Sequence, residues 1–278
     1  MSNSKTATTT VPRIEFRSNA ERGGGSPVHW LRAMWTFAVP ANGYYAGGLN
    51  GFGNLRVMAE DRIKPYNGFE LHGHREFEIF TYVIRGELEH KDSMGNVEII
   101  KAGDIQLTSA GTGIRHSEVC HGPKEVHLMQ IWTLPSQSGL TPKYYTRHFT
   151  DEEKANNWVR VVAPVESKGV TREREGTGPA PVYSDVSFWV TRLGAKAAVS
   201  RRLPASASRE ERKAYLQIIQ RSGFNQGPGQ GATVSVQLGE SVVSMREGDG
   251  AFIYGREGDE LDVENTSDIT AEILLFDV

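Results

Sequence analysis

Two short pincers carry the residues best suited to chemistry in this chain, His72-Gly-His74 and His116-Ser-Glu118. On a β-strand, side chains two residues apart share a face, and a rise of about 3.3 Å per residue sets their Cα atoms roughly 6.6 Å apart. Two imidazoles leaning together from that separation both reach one ion at the usual metal–nitrogen distance of about 2.1 Å. With 8 His in 278 residues, roughly 0.2 His-x-His pairs arise by chance, so the weight lies on the two pincers together. Three neutral imidazoles and one carboxylate leave a divalent ion with a net charge of about +1 and room for one or two further ligands in an octahedral shell. That is a catalytic arrangement, whereas a closed structural zinc site draws mostly on thiolates. Such donors accept Fe, Ni, Co, Mn, Cu and Zn alike. Glu78 shares strand parity with His72 and His74 and is an alternative carboxylate, provided the strand is regular.

The elements that must position these residues read as strands. Leu55–Met58, Glu78–Ile84, Val97–Ile100, Ile105–Leu107 and Val126–Trp132 are rich in β-branched and aromatic residues. Glycine pairs such as Asn42-Gly43, Gly47-Gly48, Asn67-Gly68 and Gly111-Thr-Gly113 punctuate them. Ser93–Asn96 is expected to form a hairpin turn with Gly95 at positive φ, and Lys101–Asp104 the next turn. Short strands at this spacing indicate an all-β barrel and not alternating βα units. His90 and Asp92, at the start of the first turn, read as structural, as do His29, His121, His127 and His148. Thr150-Asp-Glu-Glu153 is a capping box that opens a short helix running to about Asn157.

The second half carries no histidine, since His148 is the last of the eight. It repeats other features: Arg246-Glu-Gly-Asp249 matches Lys101-Ala-Gly-Asp104, and Thr270–Phe276 matches Val126–Trp132. The pattern is that of a duplicated barrel without ligands. The expected division is a tail over 1–12, a metal-binding domain over 13–149, a linker with a short helix over 150–181 and a second barrel over 182–278. Ala205–Tyr215, with a second capping box at Ser208–Glu211, reads as an inserted basic helix flanked by Arg201 and Arg202.

The charge is nearly balanced, 31 basic against 34 acidic residues, which gives no general attraction to nucleic acid or membrane. One cysteine, Cys120, excludes an intrachain disulfide and suits a reducing compartment. The chain opens on a polar Thr-rich stretch and shows no long apolar run, so a cytoplasmic protein is expected.

The sequence resembles the pirin family, a branch of the cupin superfamily. Gly51–Arg62, His72-Gly-His-Arg-Glu-Phe-Glu78, Leu88–Gly95, Ser109–Glu118 and Gln130–Pro135 carry the resemblance, closely in the N-terminal half and loosely beyond. It implies two tandem cupin (jelly-roll) barrels with short connecting helices, the second degenerate. It places the metal ligands on His72, His74, His116 and Glu118, with iron the first expectation and Glu78 beside the site. General cupins would use Glu78 instead. It further implies a flavonol dioxygenase of the quercetinase type, acting on a small aromatic substrate with dioxygen, in which Glu118 is also the candidate base. The alternative it implies is a nuclear, iron-binding co-regulator that contacts a transcription factor without turnover. Phe52, Phe69, Phe77, Phe80, Tyr82, Met129 and Trp132 are the apolar residues expected around the pincers.

Overall fold

Buried and exposed side chains alternate along short segments: Ile114–Cys120 buries Ile114, His116, Glu118 and Cys120 and turns Arg115 to solvent. Such period-two segments must pair into sheets with one face covered. In the computed structural model, which describes residues 11–39, 49–205 and 211–278, they do so twice. The N-terminal half has a seven-stranded sheet in the order Lys143–His148, Asp104–Ser109, Glu78–Arg85, Val126–Thr133, Leu55–Ile63, Leu31–Phe37, Gly23–Val28. Facing it is a four-stranded sheet, Gly68–His74, Ile114–Cys120, Glu87–Asp92, Val97–Lys101.

The C-terminal half repeats both orders. Its seven strands run Arg13–Arg17, Gly250–Gly255, Arg212–Ile218, Ala271–Asp277, Ser187–Leu193, Val159–Pro164, Ala180–Val182, and its four run Ala198–Arg202, Glu260–Asn265, Gln230–Leu238, Ser241–Glu247. The fold is therefore all-β, two jelly-roll sandwiches of cupin type, with little helix. The repeated Gly-Asp turns have one geometry. Gly103 and Gly248 take φ of +88° and +91°, and the aspartate that follows accepts the backbone N–H of Lys101 at 2.7 Å and of Arg246 at 2.8 Å. No helix among the described residues is long and apolar enough to cross a membrane.

Sheet membership differs from the division expected from sequence. Arg13–Arg17 pairs with Gly250–Gly255 in the C-terminal sheet, Ile14 opposite Ile253, so residue 13 does not open the N-terminal sandwich. The strand takes the edge that Lys143–His148 occupies in the other half, and it buries Ile14 against the C-terminal core. Val159–Pro164 and Ala180–Val182, within the expected linker, are strands of the same sheet. The Thr150 box forms as expected, with Thr150 Oγ1 accepting from Glu153 N at 3.2 Å and Glu153 Oε2 from Thr150 N at 2.7 Å. Its helix ends at Lys154, because Asn156 adopts a left-handed φ of +51°. Ser208–Glu210, the Asn42-Gly43 and Gly47-Gly48 turns and the first ten residues lie outside the described residues. Arg212 and Lys213 begin a strand, not a helix.

The two seven-stranded sheets pack on each other through a core that spans both halves, including Phe80, Tyr82, Phe188, Tyr215 and Phe276. Phe188 and Phe276 stack at 4.5 Å and Phe37 meets Tyr215 edge-on at 5.0 Å. Each such ring contributes about 1.5–3 kcal/mol by leaving water. A polar tie crosses the same boundary, where buried Glu60 accepts from Arg22 at 3.0 Å and from Gln220 N at 2.8 Å and pairs with His127 at 2.9 Å.

Candidate metal centre

Gly68–His74 and Ile114–Cys120 are antiparallel neighbours in the four-stranded sheet, with His72 directly opposite His116 and His74 opposite Ile114. This register brings the two pincers onto one interior face. His72 Nε2 and His116 Nε2 stand 3.1 Å apart, and the His74 ring centroid lies 4.7 Å from that of His72 and 4.8 Å from that of His116. Nitrogens of all three fall within 4.8 Å of one another. The register slips between His116 and Glu118. A Cβ on Gly68 would sit 2.1 Å from Glu118 O, so only glycine lets the strand close on the bulge there.

Protonation favours a ligand role. Burial, together with the neighbouring imidazoles of His116 and His72, pushes His74 down to about 3. Burial likewise pushes His116 down to about 4. Both rings are thus neutral near pH 7, as ligation demands. His72 Nδ1 lies 2.7 Å from Glu70 O. Donation to that carbonyl leaves the Nε2 lone pair pointing into the cluster, the usual way a ligating imidazole is oriented. His116 Nδ1 is buried without a partner among the described residues. The donor set fits a divalent ion.

Glu118 is held differently. Burial raises its carboxyl, but the surrounding histidines, His116 and His90 foremost, outweigh that and hold it below the ordinary value. Gln130 Nε2 donates to Oε2 at 2.8 Å, Gln106 Nε2 donates to Oε1, and Thr81 Oγ1 lies 3.2 Å from Oε1. Glu118 forms a second close group with His116 and His90. Both its oxygens already accept hydrogen bonds, which would make it a firmly oriented ligand and makes it a poor base.

Glu78, the alternative carboxylate, belongs to neither group. The parity argument fails because residues 75–77 interrupt the strand. Glu76 takes φ of +57°, and Glu78 starts a strand of the other sheet. There it accepts from Ser109 Oγ at 2.6 Å and Tyr183 N at 3.1 Å, and burial pushes its carboxyl up to about 7. His90, read from sequence as a turn residue, faces the site. It pairs opposite Glu118, and its ring centroid lies 5.3 Å from that of His116. Its parity on Glu87–Asp92 was the available signal, but only the strand order reveals which neighbour it faces. His127 and His148 serve acid pairs elsewhere, with Glu60 at 2.9 Å and Asp104 at 2.5 Å. Cys120 is buried, donates to Lys124 O at 3.0 Å, and has its thiol pushed up by burial, which suits a packing role.

A cavity of about 730 Å³ adjoins the histidines, its wall including Trp35, Asp61, Phe69, Phe77 and Trp132 together with His72 and His74. Of the expected apolar lining, Phe69, Phe77 and Trp132 are present. Phe80, Tyr82 and Met129, with Phe52 packed against them, lie in the core shared by the halves. Strand parity explains the split, since Phe80 and Tyr82 face the partner sheet while Thr81 between them faces the barrel interior.

Fold and donor cluster together define a cupin-type double sandwich with histidines gathered in one half. The family model for pirin matches residues 22–133. A Pasteurella multocida protein named "Putative quercetin 2,3-dioxygenase" is 35% identical over 208 residues, 74% of this chain and 82% of that protein. The "Quercetin 2,3-dioxygenase" of Escherichia coli K12 is 47% identical over 137 residues, 49% of this chain and 58% of that protein. The crystal structure of the bacterial pirin YhhW from E. coli in complex with nickel(II) matches with a TM-score of 0.74 at 31% identity, over 95% of this chain and 98% of that one. The chain belongs to the pirin family.

Proposed function

We propose that this protein is a metal-dependent dioxygenase acting on a flavonol such as quercetin. The observation that carries the reading is the convergence of three imidazoles, two of them on the wall of an aromatic cavity of about 730 Å³, within the size range of a drug-sized ligand site. His72, His74 and His116 would hold the ion and Glu118 would complete the set. When bound, a divalent ion supplies positive charge for an anionic substrate oxygen and open positions beside it. Trp35, Phe69, Phe77 and Trp132 offer flat apolar faces to a planar aromatic substrate and keep water from it. Gln106 and Gln130 hold the Glu118 carboxylate in one orientation through their amide donors.

Iron remains the first expectation for the metal, with nickel supported by the nickel(II) complex of YhhW. The names of the P. multocida and E. coli relatives support the substrate class. The test is oxygen uptake on a flavonol panel, paired with elemental analysis of the purified chain. Uptake that scales with metal content is expected. Full metal content without uptake on any flavonol contradicts the enzymatic reading and favours the nuclear co-regulator, whose mark would be partner affinity that depends on the metal's oxidation state.

A further inference from the structure

Asp61 sits mid-strand in Leu55–Ile63, opposite Ala33 on one side and Leu128 on the other. It is 4% exposed, lines the cavity with His72 and His74, and its Oδ1 has no hydrogen-bond partner among the described residues. Other buried acids, Glu60, Glu78, Glu118 and Glu272 among them, all accept hydrogen bonds. A carboxyl placed among apolar neighbours with an oxygen left free costs stability. Its place on a substrate-sized cavity gives that cost a use.

We propose that Asp61 accepts the hydroxyl proton of a phenolic substrate seated in this cavity, while Glu118 stays a ligand. The inference rests on the flavonol reading above. In the step, the substrate O–H bond breaks and its electron pair stays on the phenolate oxygen. The proton bonds to a carboxylate oxygen of Asp61, and no electrons change hands. Glu118 is ill suited to the role, because Gln106 and Gln130 occupy both its oxygens. The surroundings of Asp61 suit it. Burial first, then the charges of Glu118 and Glu60, raise its carboxyl to about 7 against the opposing pull of Arg22, near where a general base works best. On the neighbouring strands Ala33 and Leu128 add no charge, and across the cavity, among the described residues, only His72, His74 and Arg75 are titratable besides Glu70.

The experiment compares the parent with Asp61→Asn in the metal-loaded full chain, with metal content and melting temperature as controls. Two readouts are taken: oxygen uptake against pH, and the absorption of flavonol bound without oxygen, which distinguishes phenol from phenolate. Asp61→Asn should keep its metal, lose about 10²–10⁴-fold in kcat/KM near neutral pH, recover as pH approaches the phenol pKa, and bind the flavonol neutral where the parent binds it ionised. Asp61→Glu should restore the phenolate band in part. If Asp61→Asn still binds phenolate, or loses activity equally at every pH, Asp61 is not the base. If the parent takes up no oxygen, the dioxygenase reading fails. The absorption comparison then still decides the proton transfer.

Discussion

The two sandwiches use one strand order and fill their interiors in opposite ways. Counted from the shared Gly-Asp turns, His116 and Glu118 correspond to Leu261 and Val263, which are fully buried among Val234, Val236 and Leu238. Where His72 stands opposite His116, Arg201 stands opposite Leu261. Its side chain, 10% exposed, pairs with Asp277 at 2.8 Å and lies 4.2 Å over the Trp189 ring. The N-terminal interior instead keeps His90, Gln106, His116, Glu118 and Asp61 buried. One copy of the fold is thus packed for stability, while the other holds polar groups whose burial lowers stability and whose arrangement permits chemistry.

The largest effect should come from exchanging the character of one site. His116→Ala is expected to lower metal content to near zero and with it turnover, because a donor set missing one of its facing imidazoles binds far more weakly. Leu261→Ala should leave metal content at the parent level. Equal metal loss in both variants would mean that the halves do not divide the labour, and elemental analysis decides it.

Next in size is the tie between the halves. Glu60→Gln leaves the Arg22 guanidinium buried without its counter-charge, which should cost about 3–5 kcal/mol in denaturant unfolding. Burial alone would raise Glu60, but His127 and Arg22 reverse that and hold it down at about 2. An acid depressed on folding stabilises above its ordinary value of 4.5, and that contribution is lost as pH falls toward 2. The parent, but not Glu60→Gln, should therefore show a stability loss of this origin below pH 4.5. Superimposable acid limbs would dismiss the tie.

Leu261→Ala should itself destabilise by about 2–5 kcal/mol through lost burial and the cavity it leaves. The smallest expected effect has the opposite sign. Asp61 is an acid raised on folding to about 7 from 3.8, so it lowers stability progressively as pH rises through that window. In metal-free protein, Asp61→Asn should gain about 1–3 kcal/mol at pH 8, and the gain should shrink toward pH 4. A loss at pH 8 would show that Asp61 makes a supporting contact.

The His-x-His and His-x-Glu pincers were legible because strand parity is a local property, and so were the duplicated Gly-Asp turns, whose bonds lie within four residues. What needed the strand order was not legible. His90 joins the cluster only because Glu87–Asp92 lies beside Ile114–Cys120. Arg13–Arg17 crosses to the far sandwich through a pairing with residues 250–254, which no short window reveals. Asp61 sits in a run of three charged residues, Glu-Asp-Arg, yet all three side chains are buried, two with partners and one on the cavity. Glu78 stood as an alternative to Glu118 only if the strand were regular, and positive φ at Glu76 breaks a strand that its residue types suggest is continuous.

One half of this duplicated fold is expected to hold the metal and the other is not. Anomalous diffraction from crystals of the purified chain, with metal content measured on the same sample, tests it most directly. The expected result is about one ion per chain, lying among His72, His74, His116 and Glu118. An ion bound instead between Ser187 and Val278, or one ion in each sandwich, would contradict it.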